Sequence, residues 1–533
     1  MTRKHGRKRQ KKFLYRANKK LKEERFGHIL DKDTYEYFLR IAETLKLDNS
    51  DEEKGVLAEN VLRETQGKEG DFTSHPLSAR VLEGILPWAS WNDLSRLRDA
   101  FAEKRHWAKN GCQAHVQESL IKDAGQRAQN GNEEKEECLE YIRQKSMFYL
   151  NNLEEQILEV NLNHLTRTCL EVCSGIMQEK GTSKQLSPLL PDVVKEYLSR
   201  FKKWHQFSGT YKEEVVSGLL QVVLRSASKC CPKACAAFIN ILIDNCLLND
   251  YVKETQENTF FDNISRNSLL ETMIEVSNAE VYEKIYTSFL KGGIKDLAKG
   301  KNSNFIIAKL LRSCPGKIQL EPIFEEMGTN YQAFMEYPQV LVALSEACLK
   351  CGIKQGDLIK NTKTTLSCDI QNGDQTFVKC LLWMTSPDKL DLKSQTSIHG
   401  SMILQNMLTF KKPIKIVEGL LGLNFDELKI IAEDPKGSRI FDAFVLSNSV
   451  GEKSRDRLIN KFNDAYIDLA MTKFGSRVFD ALWSKSSGKQ REAIMKNMTR
   501  RILSNQYGSK IATMIDLNTY LTDRKNWNPK NKQ

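Results

Sequence analysis

Three stretches near the C-terminus decide how the chain is read: Lys436-Gly-Ser-Arg-Ile-Phe-Asp-Ala-Phe444, Phe474-Gly-Ser-Arg-Val-Phe-Asp-Ala-Leu482 and Tyr507-Gly-Ser-Lys-Ile-Ala-Thr-Met514. Their serines, Ser438, Ser476 and Ser509, stand 38 and 33 residues apart, and Gly400-Ser-Met-Ile-Leu-Gln-Asn-Met-Leu408 repeats the pattern 37 residues before Ser438. A motif that returns at this period, each time ahead of an apolar run, marks a repeat array. One repeat cannot bury its apolar face alone, so neighbours must stack.

The pattern continues towards the N-terminus. Leu77-Ser-Ala-Arg-Val-Leu-Glu-Gly-Ile85 and Cys112-Gln-Ala-His-Val-Gln-Glu-Ser-Leu120 place Ala79 and Ala114 35 residues apart. Weaker copies are Asn163-His-Leu-Thr-Arg167, Ser217-Gly-Leu-Leu-Gln221, Asn267-Ser-Leu-Leu-Glu271 and Asn304-Phe-Ile-Ile-Ala308. Helical periodicity dominates from residue 50 onward and β-alternation is nearly absent, so the expected class is all-α, built from three-helix repeats with short turns. The array is expected over 31–525, between a basic extension at 1–30 and a short tail at 526–533. Two polar stretches interrupt it, 125–137 and 177–192, the second containing Gly181, Pro188 and Pro191. Both read as exposed loops or insertions.

Charge is concentrated at the ends. Residues 1–25 hold twelve Lys/Arg against Glu23 and Glu24, and residues 484–533 hold eleven against Glu492, Asp516 and Asp523. With a total of +12, the middle of the chain is slightly acidic. A basic extension of this kind suits nuclear or nucleolar import and non-specific RNA contact. It lacks the apolar core of a secretory signal, and no run of about 18 apolar residues suggests a membrane span.

The thirteen cysteines lack disulfide-scaffold spacing and imply reduced thiols inside a cell. Cys348-x-x-Cys351 has no second pair at zinc-ribbon distance. It reads as buried helix cysteines, as do Cys169/Cys173 and Cys231/Cys235 at helical spacing. There is no phosphate-binding G-x-x-x-x-G-K-[ST], no H-E-x-x-H, and no metal spacing among the eight histidines. Neither a cofactor, a metal nor an enzyme activity is expected.

What the repeats do offer is a face. In each copy a small residue, the residue after it, and the residue four places on share one side of a helix. The first and fifth positions can offer hydrogen-bonding groups to a base edge, and the second can stack on a base. A simpler account makes Gly-Ser-Arg a helix start, with serine as the N-cap and arginine solvated. Caps alone do not require an Arg at the next position, and the repetition favours the binding face.

This motif resembles the Pumilio (PUF) RNA-binding repeat, whose second helix carries two edge-reading residues around a stacking residue. Within that superfamily the chain is similar to the nucleolar protein nine subgroup, over about residues 50–525. Further support comes from Val281-Tyr-Glu-Lys-Ile-Tyr286 and from Ser345-Glu-Ala-Cys348 in a divergent repeat. The resemblance implies a solenoid of about 10–11 repeats in a C- or U-shaped superhelix. It also implies a nucleolar factor for the small ribosomal subunit that binds pre-rRNA near the 3′ end of 18S and controls its processing. Single-stranded or partly structured RNA would be the partner of a monomeric chain, with early pre-40S assembly factors as possible further partners.

Carried over by residue, Ala79 and Glu83 would read around Arg80, Ala114 and Glu118 around His115, and Asn163 and Arg167 around His164. Ser217 and Gln221 flank Gly218, Asn267 and Glu271 flank Ser268, Asn304 and Ala308 flank Phe305, and Ser401 and Gln405 flank Met402. The last three sets are Ser438/Asp442 around Arg439, Ser476/Asp480 around Arg477 and Ser509/Thr513 around Lys510. Departures make the code partial. Asp442 and Asp480 are one methylene short of the expected Glu or Gln, Ala308 and Thr513 lack the usual contact, Gly218 and Ser268 cannot stack, and Pro338-Gln-Val-Leu-Val342 has lost the motif. Adenine is expected opposite Ser217/Gln221 and Ser401/Gln405, with phosphate and shape contacts elsewhere. Two other readings are a cytoplasmic Pumilio-type regulator of messenger RNA and a HEAT- or armadillo-like protein scaffold. The irregular code argues against the first and the recurring Ser-Arg against the second.

Overall fold

The computed structural model describes residues 30–47, 50–103, 105–131, 133–176, 186–204, 208–254, 259–368 and 373–527, and every regular element among them is helical. Apart from Leu30, the basic extension lies outside the described residues, as does 528–533 of the expected tail. The chain divides into two compact units, Met1–Ser277 and Asn278–Gln533.

In the first unit the motif copies lie on α1 (Pro76–Ile85), α2 (Gly111–Asn130), α3 (Val160–Ser174), α4 (Glu214–Cys230) and α5 (Ile264–Val276), each packed on the next. A second layer backs them: helix Lys135–Asn151 lies against α2 and α3, and Pro191–Lys203 against α3 and α4. In the second unit the row is α6 (Asn304–Ser313), α7 (Gln339–Cys351), α8 (Ile398–Leu408), α9 (Ser438–Leu446), α10 (Gly475–Lys485) and α11 (Gln506–Met514), again each on the next. Behind this row, helix Gly373–Trp383 packs on α8 and on Ile414–Gly422, and Tyr466–Met471 packs on α10. The segment that lost the motif, Pro338–Val342, still enters a motif-position helix, because Val340 to Ser345 are all buried between neighbours. Apolar periodicity holds a helix in the row even without the motif residues.

Helix starts follow ordinary capping chemistry. Pro76 occupies the first turn of α1, where its missing N–H costs nothing, and His75 Nδ1 accepts the Leu77 N–H at 3.2 Å. Asn110, Asn263, Ser397 and Asn505 cap α2, α5, α8 and α11 through side-chain oxygens. The motif serines are not caps. Gly437 and Phe474 hold the cap positions of α9 and α10, both already helical and neither with a capping side chain. This removes the simpler account of Gly-Ser-Arg as a serine-capped helix start.

The motif glycine has a packing reason instead. A Cβ on Gly437, Gly475 or Gly508 would stand 2.7, 2.7 and 1.9 Å from the carbonyl oxygens of Ile431, Leu469 and Ile502, each seven residues before the first motif position. In two other repeats the same place holds a serine that donates to the equivalent carbonyl, Ser78 to Phe72 and Ser303 to Leu297, at 2.6 and 2.7 Å. In these five repeats the preceding helical turn ends against the start of the motif helix, and glycine or serine fits there.

The polar stretch 125–137 is not a loop. α2 runs on to Asn130 and the next helix begins at Lys135, with Gly131, Glu133 and Glu134 in turns between them. Gly125 and Ala128 are buried, and Arg127 is clasped by Asp123 at 2.7 Å, Glu134 at 2.9 Å and the carbonyls of Leu86 and Ala89. Polar composition hid a helix whose charges are paired inside the fold. In the second stretch, residues 177–185 lie outside the described residues. Leu189 and Leu190 donate to the Cys173 carbonyl before the helix starts at Pro191.

Residues Pro232–Glu254 form a helix long and apolar enough, by length and composition, to cross a membrane. Its stripe of Cys235, Phe238, Ile239, Leu242, Ile243, Cys246 and Leu247 is buried, and its first part packs on Pro191–Lys203 and α4. That stripe is core. All thirteen cysteines are free, and burial pushes the Cys173 and Cys348 thiols up to about 12.

Candidate nucleic-acid interface

The three motif positions fall into distinct environments. First-position residues Ala79, Ala114, Asn163, Ser217, Asn267, Asn304, Ser401 and Ser438 are buried, while Ser476 and Ser509 are half-buried. Second-position residues Arg80, His115, His164, Phe305, Met402, Arg439, Arg477 and Lys510 are exposed, Phe305 at 52%. Fifth-position residues Glu83, Glu118, Arg167, Gln221, Glu271, Gln405 and Asp442 are half-buried, Asp480 and Thr513 exposed, and Ala308 buried. In each unit the motif helices are neighbours, so these positions form a row of projecting aromatic, cationic or methionine side chains, interrupted at Gly218 and Ser268, with polar groups beside them.

The first position does different work from the edge reading expected of it. Ser217 Oγ donates to the Ser265 carbonyl at the start of the next motif helix, at 2.6 Å, and accepts from Gln221 Nε2 at 3.2 Å. Ser401 does the same with the Lys436 carbonyl at 2.7 Å and Gln405 Nε2 at 2.9 Å. Each serine is thus spent on tying two helices together and aiming a glutamine. What either pair presents outward belongs to the glutamine, and Gln221 Oε1 in turn accepts from Thr272 at 3.4 Å.

The asparagines anchor inward too. Asn163 Nδ2 donates to the Ile157 carbonyl and Asn267 Nδ2 to the Phe261 carbonyl, at 2.8 and 2.7 Å. Asn304 is fully enclosed, donating to Gly300 and Lys301 carbonyls and accepting from Gln339. As placed, Asn304 has no polar atom left for an outside ligand. Arg167, expected at a base edge, instead donates through Nη2 to the Val215 carbonyl at 2.6 Å.

Electrostatics confirm that the faces are shared between helices. Thr168 on α3 donates to Glu118 on α2 at 3.2 Å, and Glu118 also holds Lys122 at 2.6 Å and lies 3.5 Å from His115 Nδ1. Burial alone would raise the Glu118 carboxyl, but the Lys122 and Thr168 hydrogen bonds bring it below its ordinary value. Burial raises Glu83, against the pull of His115. It also lowers His164, an effect that the charge of Arg167 adds to. In the second unit burial raises Asp442 against the pull of both Arg439 on its own helix and Arg477 on the next. Asp480 is raised by burial and then by the charge of Asp442. Arg439, Asp442, Arg477 and Asp480 therefore belong to one surface.

A second row escaped the sequence reading. Eight residues after the first position stand Lys122, Glu171, Arg225, Glu275 and Arg312, two turns further along the same faces. Arg225 donates to Thr272 at 3.2 Å and lies 3.5 Å from Glu275, and Arg312 pairs with Glu346 at 2.7 Å. These bonds join neighbouring helices. The signal was present at i+8 spacing, where acid and base alternate from repeat to repeat.

Motif helices side by side, a backing layer and a second-position side chain exposed on eight of those helices define a Pumilio-type helical-repeat protein. Its likeness to solved structures agrees: APUM23 with the RNA GGAAUUGACGG superposes with a TM-score of 0.76 at 19% identity, covering 93% of this chain and 99% of that one. The complex of APUM23 with GGAGUUGACGG gives 0.75 at 18% identity, with the same coverage. The model of the NOP9-like PUF repeat domain matches residues 177–509, and the chain belongs to that family. Nucleolar protein 9 of Mus musculus is 23% identical, and that of Homo sapiens 22%, each over 92% of this chain and 87% of the relative. Nucleolar protein 9 of Aspergillus fumigatus is 22% identical over 90% of this chain and 78% of the relative. The protein is placed in the nucleolus with these relatives.

Proposed function

We propose that the protein binds RNA through the second-position row and acts, without chemistry of its own, in biogenesis of the small ribosomal subunit. Unpaired bases would stack on Arg80, His115, His164, Phe305, Met402, Arg439, Arg477 and Lys510. Half-buried fifth-position groups such as Glu83, Glu118, Glu271 and Gln405 would meet base edges, with Asp442 and Asp480 falling short. Adenine is favoured opposite Gln221 and Gln405, each aimed by a hydrogen bond from its amide nitrogen to its serine. The observation that carries the reading is an exposed aromatic, cationic or methionine side chain at the second position of eight motif helices, each beside a buried or half-buried first-position residue.

Within the nucleolus the RNA would be precursor ribosomal RNA, near the 3′ end of the future 18S region, and the chain would work as a monomer among pre-40S assembly factors. Occupying single-stranded bases is enough to cover a cleavage site, so no reacting group is required. The test is the triple change Arg439→Ala, Arg477→Ala and Lys510→Ala in the full chain, with binding to single-stranded RNA followed by fluorescence anisotropy over a salt series. Binding should weaken severalfold with a shallower salt dependence, since three cations leave the surface and each that also neutralises a phosphate contributes a slope of about 0.7. Unchanged affinity in a folded variant would defeat the proposal.

A further inference from the structure

Gly218 stands at the second position of α4, where the other repeats project a side chain, and the space is not empty. A Cβ on Gly218 would lie 2.5, 2.6 and 2.8 Å from Nη2, Cζ and Nη1 of Arg167. Near-equal distances to all three atoms mean that the guanidinium is laid across Gly218 by its face rather than pointed at it by an edge. The Nη2 bond to the Val215 carbonyl at 2.6 Å pins that orientation. Burial lowers the Arg167 pKa, against the charges of Glu171 and Glu214, neither of which holds it in a salt bridge. Arg167 comes from α3, 51 residues earlier in the chain, and fills the place that α4 leaves vacant.

We infer that the guanidinium of Arg167, lying flat on Gly218, is the stacking surface of the slot between α3 and α4, and that this slot holds an unpaired nucleobase by its face without reading its identity. The inference rests on the RNA-binding reading above. His164, exposed and three residues before Arg167, is its neighbour on the same helix face. The groups that would read an edge here are turned into the fold, with Asn163 Oδ1 and Arg167 Nε buried and unpartnered. Asn163 is 1% exposed with its amide nitrogen on the Ile157 carbonyl, and Arg167 Nη2 is on the Val215 carbonyl. What remains is a planar cation, and every base has a face to set against it.

Three variants of the full chain separate plane, charge and packing, with a random pool of single-stranded RNA as the probe. Arg167→Lys keeps the charge and loses the plane. Gly218→Ala keeps the arginine but drives its guanidinium off the glycine, a cheap move for the end of a flexible side chain. Arg167→Ala loses both. All three should bind roughly five- to tenfold more weakly than the unaltered chain, the loss of one base stack, and Arg167→Lys should keep the wild-type salt slope. Wild-type affinity for Arg167→Lys would mean a charge contact alone and would overturn the inference. So would wild-type affinity for all three with a lowered melting temperature, the behaviour of a mere space-filler. If the Arg439, Arg477 and Lys510 triple variant loses affinity while these do not, only this inference fails. If the unaltered chain binds no RNA, both fail together.

Discussion

Replacing Gly400 by alanine tests the close packing that seats a motif helix. Gly400 opens the motif of α8 directly against helix Gly373–Trp383. A Cβ there would stand 2.1 Å from the Leu381 carbonyl oxygen and 2.8 Å from that of Leu382. Ordinary contact begins near 3.4 Å, so about 1.3 Å has to be opened in a region packed at crystal-like density. The obstacle is backbone, and Gly373–Trp383 cannot retreat because Ile414–Gly422 packs on it. Overpacking of this kind costs about 1–3 kcal/mol and more when nothing yields, while alanine regains about 1 kcal/mol of helix propensity. With backbone as the obstacle the cost falls at the upper end, so the net expectation is a loss of about 2 kcal/mol. Urea unfolding followed by far-UV circular dichroism reads it as a lower midpoint. Gly356→Ala is the control, since nothing lies within 4 Å of its added methyl, and it should be neutral or stabilised by up to about 1 kcal/mol. If Gly400→Ala proves as stable as the unaltered chain, the reasoning about motif glycines is wrong.

Asp442→Asn with Asp480→Asn should strengthen RNA binding at neutral pH, because two carboxylates leave the surface that carries Arg439 and Arg477. Both carboxyls are raised in the folded chain, so their contribution to stability is complete below the ordinary carboxylate pKa and is lost as pH rises through the folded values. Binding by the unaltered chain should accordingly tighten as pH falls towards that range, and the double variant should lose this dependence in a pH series of anisotropy titrations. Ser401→Ala leaves the part-buried Lys436 carbonyl without its partner and frees Gln405, a cost of about 1 kcal/mol visible in urea unfolding. Arg266 is 1% exposed and holds Glu254 at 2.7 Å, Asp250 at 3.5 Å and the Phe260 carbonyl. Arg266→Ala leaves Glu254 with Lys212 and Asp250 with Tyr211 and Lys212, removes a fully buried side chain, and should cost about 3 kcal/mol. Hydrogen bonds to Arg266 for Glu254, and to Tyr211 and Lys212 for Asp250 against burial, lower both carboxyls. Stability from this cluster is therefore present above the ordinary carboxylate range and fades below it, a loss that acid melting curves should show.

Much of this was legible beforehand. The Gly-Ser-Arg spacing located α9, α10 and α11, and the weak copies at Asn163, Ser217, Asn267 and Asn304 all fall on motif helices, since apolar periodicity and motif agree there. Which way a first-position side chain faces was not legible. Serine and asparagine can serve either a base or a carbonyl, and the choice depends on helices up to 48 residues away, as in Ser217 and Ser265. The stretch 125–137 misled because composition does not reveal that Arg127 and Glu134 find partners inside the fold. The contact of Arg167 with Gly218 was out of reach for the same reason: absence of a side chain at one position means little until its neighbour is known.

The chain from Gln405 through Ser401 to the Lys436 carbonyl has a mechanical reading. Because one hydroxyl both aims the glutamine and ties α8 to the start of α9, the angle of the recognition group and the distance between two helices are not independent variables. A ligand that holds the glutamine in place stiffens that joint, and a strain that spreads the joint loosens the ligand. By reciprocity the two effects are equal in free energy. Grip on the bound strand would then vary with how far the array is flexed.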